Sequence, residues 1–405
     1  MNKSISRRRF LKETMIGIGA LGFAGTRWGI AKAQETKSEK KIIMRKLGKT
    51  GIRLPIVSMG VMNASLTDLV IESYRMGVRH FDTAWVYQGG QNERMLGEAL
   101  KRLGVRKEVV IATKSPMGEG QGRKETQEIL KSIQTRLDES LQRLQTDYVD
   151  ILYLHGVSDP QQLQWPELEA FMNDLKKKGK IRFCGVSCHA NMSAVVRQMM
   201  KSGFWDVALV AFNFAMAEDT ELLQTLREAG KQGIGLIAMK TQAGGRWWQE
   251  RLRESGKLKT ALNQTAMLKW VLQHDFITTA IPGYTTYEQL REDFSVAYDL
   301  TLTPEEKKFL SDNEIRVGLG FCKQCGTCQA HCPKQVDIPT LMRTHMYAFQ
   351  YQNLDQAYVT IREITPRKGL GQCLECETCS AKCIHGVQIA QRIHDLKTLA
   401  GYQWC

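Results

Sequence analysis

Apolar runs alternate with amphipathic helical patterns along residues 42–300 of the chain. The runs are rich in β-branched residues and lack strict polar alternation, which is typical of parallel strands covered on both faces. Two short strand-like pieces come first, within Ile42–Leu54. Eight strand candidates follow them: Pro55–Gly60, His80–Ala84, Val109–Lys114, Tyr148–His155, Ile181–Ser187, Val207–Asn213, Gly235–Lys240 and Thr278–Pro282.

The helical pattern between these strands is clearest over Lys124–Gln145. Its apolar side chains repeat at helical spacing: Ile129, Ile133, Leu137, Leu141 and Leu144. A succession of eight strand–helix units favours a closed barrel over an open sheet. We therefore predict an α/β protein built on a (β/α)8 barrel, with its functional site at the C-terminal ends of the strands.

The length of the chain indicates a second module, and its charge distribution argues against a nucleic-acid partner. The chain has 405 residues, more than one compact domain of ordinary size needs, so a smaller module should accompany the barrel. Formal net charge is +14, but residues 1–33 hold seven Lys or Arg and one acid, which leaves about +8 for the rest. Acidic residues are spread throughout and no basic run is interleaved with aromatic residues, so we expect no nucleic-acid binding.

The N-terminus has the three parts of a twin-arginine export signal in the right order. Ser6–Lys12 matches the twin-arginine pattern, a weakly apolar stretch follows over Met15–Gly25, and Ala31–Ala33 is a small-x-small cleavage site. The alternative is a basic amphipathic helix of the mature protein. We expect residues 1–33 to be a signal peptide and the protein to be periplasmic. Contact with the membrane would then require that the signal is kept as an anchor.

Polar residues stand where several predicted strands end. Asp82 ends the second strand, Lys114 the third and His155 the fourth, while Tyr87 follows Asp82 by five residues. Each alone has an ordinary explanation, such as a helix cap, a solvated lysine or a loop histidine. Four such residues at successive strand ends favour one shared site.

These residues lie in segments that resemble the aldo-keto reductases, over roughly residues 42–300. The matching segments are Gly77–Ala84 with Tyr87, Glu93 and Gly97, then Val110–Lys114, Asp147–His155, Gly179–Ser187, Trp270–Leu272 and Ile281–Gly283. The resemblance implies an oxidoreductase that interconverts a small carbonyl compound and an alcohol.

The chemistry that follows from this resemblance is proton transfer to a carbonyl oxygen. Tyr87 would be the acid–base, although a tyrosine has a reference pKa of about 10. The Lys114 ammonium is expected to lower that pKa, with Asp82 as its counter-ion. His155 would orient the carbonyl oxygen beside the Tyr87 hydroxyl.

The nucleotide contacts depart from the family pattern. The family's Ser-Asn pair after the fifth strand is Ser187-Cys188 here, and its ring-stacking aromatic is Met239. The expected contacts are Ser187, Gly283 and the backbone amides of Gly244 and Gly245, which could cradle a pyrophosphate. The sequence leaves open whether NADP, NAD or no nucleotide binds.

Eight of the eleven cysteines form two runs with one spacing, Cys322-x2-Cys325-x2-Cys328-x3-Cys332 and Cys373-x2-Cys376-x2-Cys379-x3-Cys383. This is the bacterial ferredoxin spacing, in which the fourth cysteine of a run commonly ligates the other cluster. We predict two 4Fe-4S clusters, with Cys383 completing the first set and Cys332 the second. The alternative metal is zinc, but zinc ribbons use pairs of cysteines rather than three and one.

The chain therefore divides into a signal at 1–33, a barrel at 42–300, a linker helix at 301–317 and a dicluster domain at 318–400. Ile338–Ile364, between the two cysteine runs, has a helical pattern, so this domain resembles the mainly helical dicluster ferredoxins. Of the other cysteines, Cys184 is expected to be inert in a strand and Cys405 incidental, while Cys188 falls in the nicotinamide shell.

Two functions remain open at this point. In the first, the barrel is an enzyme that acts on a small carbonyl or alcohol, and its clusters exchange electrons with a redox partner protein or carrier. In the second, the chain is an electron-transfer protein whose inactive barrel is a docking scaffold. The four polar residues at the strand ends favour the enzyme, and the altered nicotinamide shell favours the scaffold.

Overall fold

The computed structural model describes residues 41–117, 123–244, 250, 253–254, 256 and 261–399. The predicted signal peptide lies outside these residues, as do Gly245 and Cys405. Across the described ranges, no helix has both the length and the apolar character needed to cross a membrane.

Within these ranges the chain forms ten strands, two in a hairpin and eight in the barrel. The strands are β1 Met44–Lys46, β2 Arg53–Pro55, β3 Met59–Gly60, β4 His80–Asp82, β5 Val110–Pro116, β6 Val149–His155, β7 Ile181–Cys188, β8 Val207–Ala211, β9 Gly235–Met239 and β10 Ile277–Ala280. β1 and β2 pair antiparallel. β3 to β10 are parallel and lie in sequence order, so each predicted strand–helix unit adds the neighbouring strand.

The barrel closes between its first and last strands. The Ser58 amide donates to the Ala280 carbonyl at 2.8 Å, and the Ala280 amide donates to the Ile56 carbonyl at 2.9 Å. The predicted first strand is shortened because Pro55 pairs with Met44 in the hairpin instead. The (β/α)8 prediction is thus confirmed.

The barrel strands carry apolar side chains that are fully buried. Each of these comes from a different strand: Phe81, Ile111, Leu152, Val186, Leu209 and Ile237. Because both faces of every parallel strand are covered, the apolar runs show no polar alternation, as the sequence pattern indicated.

Helices cover the outside of the barrel and continue into the C-terminal region. Over the described ranges they are α1 Thr67–Met76, α2 Gln91–Leu103, α3 Arg123–Leu144, α4 Pro166–Lys177, α5 Met192–Ser202, α6 Thr220–Lys231, α7 Gln264–Leu272, α8 Tyr287–Ser295, α9 Pro304–Ser311, α10 Asn313–Gly318, α11 Ile338–His345, α12 Leu354–Ile361, α13 Gly371–Leu374 and α14 Ile389–Thr398. The apolar repeat in α3 faces the barrel, because Ile133 and Leu137 are buried.

The predicted linker helix is two helices, α9 and α10. Thr303 and Glu306 form a reciprocal capping box at the start of α9. Asp312 is extended, and its carboxylate accepts the Glu314 amide at 2.8 Å. An aspartate in this position starts a new helix instead of continuing the old one.

The C-terminal region is helical, and one part of it packs into the mouth of the barrel. A π-helical turn, Met346–Gln350, follows α11 directly. Met346, Tyr347 and Ala348 are buried in the same apolar core as the barrel residues. A second apolar core, which includes Leu341 from α11, surrounds the cysteines. The region is therefore joined to the barrel on the side where the strands end.

Candidate active site

A buried ion pair forms the floor of the site. The Lys114 ammonium contacts the Asp82 carboxylate and donates to the Thr83 carbonyl at 2.6 Å. Asp82 ends β4, Lys114 lies in β5, and both residues are at most 2% exposed. Because a buried charge is costly without an opposite charge and hydrogen bonds, the two side chains keep a fixed orientation toward each other.

Tyr87 lies above this pair, beside His155. The Lys114 Nζ atom is 4.9 Å from the centre of the Tyr87 ring. The Tyr87 and His155 rings meet edge to face, with their centres 6.0 Å apart. The structure thus brings together the four residues that the sequence singled out at separate strand ends.

A tight turn gives Tyr87 its position after β4. The 3₁₀ turn Tyr87–Gly90 contains Gln88, Gly89 and Gly90 at φ values of 50°, 59° and 88°. These are left-handed conformations that glycine adopts at least cost. A Cβ atom at Gly90 would lie 2.5 Å from the Arg143 guanidinium, so this position also requires glycine for space.

The pKa of Tyr87 is raised, whereas the sequence led us to expect that Lys114 would lower it. Burial raises the pKa of Tyr87 well above its usual value, and the Asp82 carboxylate adds to the rise. The Lys114 charge is already matched by Asp82, so little of it remains to stabilise a phenolate. Tyr87 therefore keeps its proton at neutral pH, which is the form that a proton donor needs.

His155 is held in its neutral form. Burial lowers its pKa well below 6.5, and the charges of Lys114, Arg343 and Lys240 lower it further. A neutral imidazole can donate one hydrogen bond to a carbonyl oxygen without offering a competing strong acid.

Four more polar residues reach this site, and sequence reasoning missed all of them. His189 lies 6.5 Å from His155, measured between ring centres. The Lys240 ammonium donates to the Tyr347 hydroxyl at 2.7 Å. Arg343 is 7% exposed and pairs with Glu363.

Two of these four residues carried a usable signal. His189 directly follows β7 and Lys240 directly follows β9, so the strand-end rule would have found both. Arg343 and Tyr347 come from the dicluster region, and no pattern within the barrel sequence points to them.

A groove of about 680 Å³ runs from Tyr87 along the expected nucleotide contacts. Gly244 and Gly283 line it, together with Tyr347 and Gln350 from the dicluster region. Ser187 is fully buried, and its hydroxyl has no hydrogen-bond partner among the described residues. These residues fit a nucleotide only in part, because Tyr347 fills space beside Lys240 at the end nearest Tyr87.

The eight cysteines gather into two sets, each drawn from both runs. Cys322, Cys325, Cys328 and Cys383 line one cavity. The second set surrounds Cys373, whose pKa is raised to about 11 by burial and by the neighbouring thiols: Cys332, Cys376 and Cys379.

Four soft thiols in each set suit an iron–sulfur cluster. In the part of the chain that the structure describes, no group of three or more His, Cys, Asp or Glu side chains has the spacing of a single-ion site. Ligands of a cubane stand farther apart than those of one ion, because each binds a different iron.

Comparison with known proteins gives two matching family models. The model described as the aldo/keto reductase family matches residues 60–311, and the model described as a 4Fe-4S dicluster domain matches residues 321–387.

Relatives match the barrel part of the chain. L-galactose dehydrogenase from Arabidopsis thaliana is 28% identical over 68% of this chain and 94% of its own length. The NADH-specific methylglyoxal reductase of Escherichia coli is 30% identical over 56% of this chain and 80% of its own. Among solved structures, an aldo-keto reductase from Bacillus halodurans superposes with a TM-score of 0.54 at 22% identity, covering 67% of this chain and 95% of that one.

Proposed function

The chain belongs to the aldo/keto reductase family and carries a 4Fe-4S dicluster domain, and from this premise we propose that it is an exported iron–sulfur oxidoreductase that interconverts a carbonyl and an alcohol. The observation that carries the proposal is the assembly of Tyr87 over the buried Lys114–Asp82 pair, beside His155.

In the proposed reaction, Tyr87 supplies the proton and His155 orients the carbonyl oxygen of the substrate. The Tyr87 hydroxyl keeps its proton until the carbonyl oxygen gains negative charge, and then donates it. The neutral His155 donates a hydrogen bond to the same oxygen. Lys114, fixed by Asp82, lies beside the Tyr87 ring and keeps the floor of the site in place.

We propose two clusters, one for each set of cysteines. Cys322, Cys325, Cys328 and Cys383 would hold the first, and Cys373, Cys376, Cys379 and Cys332 the second. When bound, such clusters accept and release single electrons. A redox partner protein or carrier would exchange those electrons with the dicluster domain.

The second candidate function is electron transfer with an inactive barrel. It is favoured by Tyr347 and Gln350, which take up space in the groove where a nucleotide would lie. An absorption spectrum and an intact-mass measurement of anaerobically purified protein would show whether a nucleotide co-purifies. A bound nicotinamide would argue for the enzyme and against the scaffold.

We expect the anaerobically purified protein to contain about eight iron and eight acid-labile sulfide per chain, the content of two cubanes. Iron and sulfide assays with metal analysis would measure this. Stoichiometric zinc without sulfide would contradict the cluster assignment.

Export by the twin-arginine route is expected to depend on Arg7 and Arg8. Replacing both by lysine should keep the precursor in the cytoplasm, folded and loaded with iron, because this route carries folded proteins. Arg9→Lys is the matched control, since Arg9 lies outside the arginine pair. Fractionation followed by immunoblotting gives the result, and periplasmic accumulation of the double variant would show that the N-terminus is not such a signal.

A further inference from the structure

A cavity between the barrel and the dicluster region is lined by cations. Lys240 enters it from the barrel, and Arg343 and Arg392 enter it from α11 and α14. Its described lining contains no carboxylate. A cavity with three cationic side chains and no acid attracts an anion.

Three buried polar atoms in this lining have no hydrogen-bond partner among the described residues. They are the Nε atom of Arg343, a residue that is 7% exposed, the Nδ1 atom of His189, a residue that is 6% exposed, and the Oε1 atom of Gln324. Leaving buried polar atoms unpaired costs free energy, so such atoms commonly have a partner when the site is complete.

The three cations are not equally compensated. Arg392 donates a hydrogen bond to the Gly320 carbonyl at 2.7 Å and has the Asp395 carboxylate as a nearby opposite charge. Arg343 has one carboxylate partner, Glu363, which is 45% exposed. Lys240 has only the Tyr347 hydroxyl as a described hydrogen-bond partner. Arg343 is therefore the side chain with charge to offer an incoming anion. Burial and the Arg343 charge lower the pKa of Lys240 well below its usual value, and an anion bound between the two side chains would favour its charged form.

Arg343 also connects this cavity to the catalytic residues. It lines a cleft of about 1020 Å³ that His155 from the barrel and Val359 from α12 also line. Its charge is close enough to lower the pKa of both His155 and His189. His155 and Arg343 line this cleft together, and Tyr87 and Lys240 line the groove of about 680 Å³ together.

We infer that the substrate is a small oxo acid, whose carboxylate is bound by Arg343 and Lys240 while its carbonyl faces Tyr87 and His155. This inference rests on the proposed function of the barrel. Reduction of the oxo acid to a hydroxy acid takes up two electrons and two protons. Two equivalents of a reduced one-electron carrier supply the two electrons and are themselves oxidised, Tyr87 delivers one proton to the oxygen, and solvent supplies the proton that reaches carbon.

Binding to the full-length, cluster-loaded protein tests this without requiring turnover. Isothermal titration with 2-oxobutyrate, against the neutral ketone 2-butanone, compares two molecules of similar size that differ in the carboxylate. We expect binding of the oxo acid only. Arg343→Gln and Lys240→Met should each weaken it by about 10- to 100-fold, the loss of one charged hydrogen bond.

Arg362→Gln is the matched control. Arg362 lines the outer part of the same cleft but is exposed, so its loss should leave the affinity unchanged. Arg343→Lys should restore part of the affinity, and iron content with thermal unfolding checks that each variant is folded. If Arg343→Gln does not fold, the affinity of Lys240→Met for 2-oxobutyrate still tests the inference.

The outcomes separate the inference from the proposed function. If 2-oxobutyrate binds through Arg343 and Lys240 but is never reduced, the anion site stands and the enzymatic function falls. If both ligands bind alike, or the two variants bind 2-oxobutyrate as well as wild type, the inference is overturned. It is also overturned if the variants weaken only NADH binding, because the anion recognised would then be a nucleotide phosphate.

Discussion

Replacing Tyr87 by phenylalanine is expected to lower carbonyl reduction by roughly two to four powers of ten, the usual loss for a general acid–base. The substitution removes the hydroxyl that holds the transferred proton and leaves the ring above Lys114 in place. Folding and iron content should therefore survive. The assay is reduction of a carbonyl panel by chemically reduced protein, because it does not assume a nicotinamide.

The barrel offers a close control for this experiment in Tyr153. It is also a fully buried tyrosine near Lys114, whose Nζ atom is 6.0 Å from its ring centre. Its hydroxyl has no described hydrogen-bond partner, so Tyr153→Phe removes an equivalent atom without touching the proposed proton donor. Tyr153→Phe should keep its rate. Equal rates for Tyr87→Phe and wild type would show that the four polar residues at the strand ends do not catalyse the reduction, and would favour the electron-transfer function.

Local patterns were enough to predict the barrel and the four polar residues that meet at its strand ends. Parallel strands align their ends, so Asp82, Lys114 and His155 had to meet once the strands were recognised. The direction of the pKa shift of Tyr87 could not be predicted from these patterns. Lys114 was expected to act on Tyr87, but its charge is taken up by Asp82, and only the structure shows how completely both are buried.

Residues contributed by the second domain could not be predicted in this way. Tyr347 and Arg343 reach the barrel because the π-helical turn and α11 pack against its mouth. That packing depends on side chains in both domains and leaves no periodic trace in either. The helical pattern of Ile338–Ile364 gave the element type correctly, but it carried no information about where those helices would dock.

The second prediction with a large effect concerns the iron content of cysteine variants. Removing ligands of one cluster should remove half the iron, and removing ligands of both clusters should remove nearly all of it. Cys383 follows the second run in sequence but lies with Cys322, Cys325 and Cys328. Cys325→Ala and Cys383→Ala should therefore remove the same cluster. We expect each single variant, and also the double variant, to keep about four iron per chain.

The contrasting pair is Cys325→Ala with Cys376→Ala. Cys376 belongs to the set around Cys373, so this double variant should lose both clusters and nearly all iron. Cys184→Ala is the control, because Cys184 is a buried free thiol in β7. Iron and sulfide assays with electron paramagnetic resonance of the reduced protein measure each case. If the Cys325/Cys383 pair empties both sites and the Cys376/Cys383 pair leaves four iron, each run holds its own cluster and the crossed assignment is wrong.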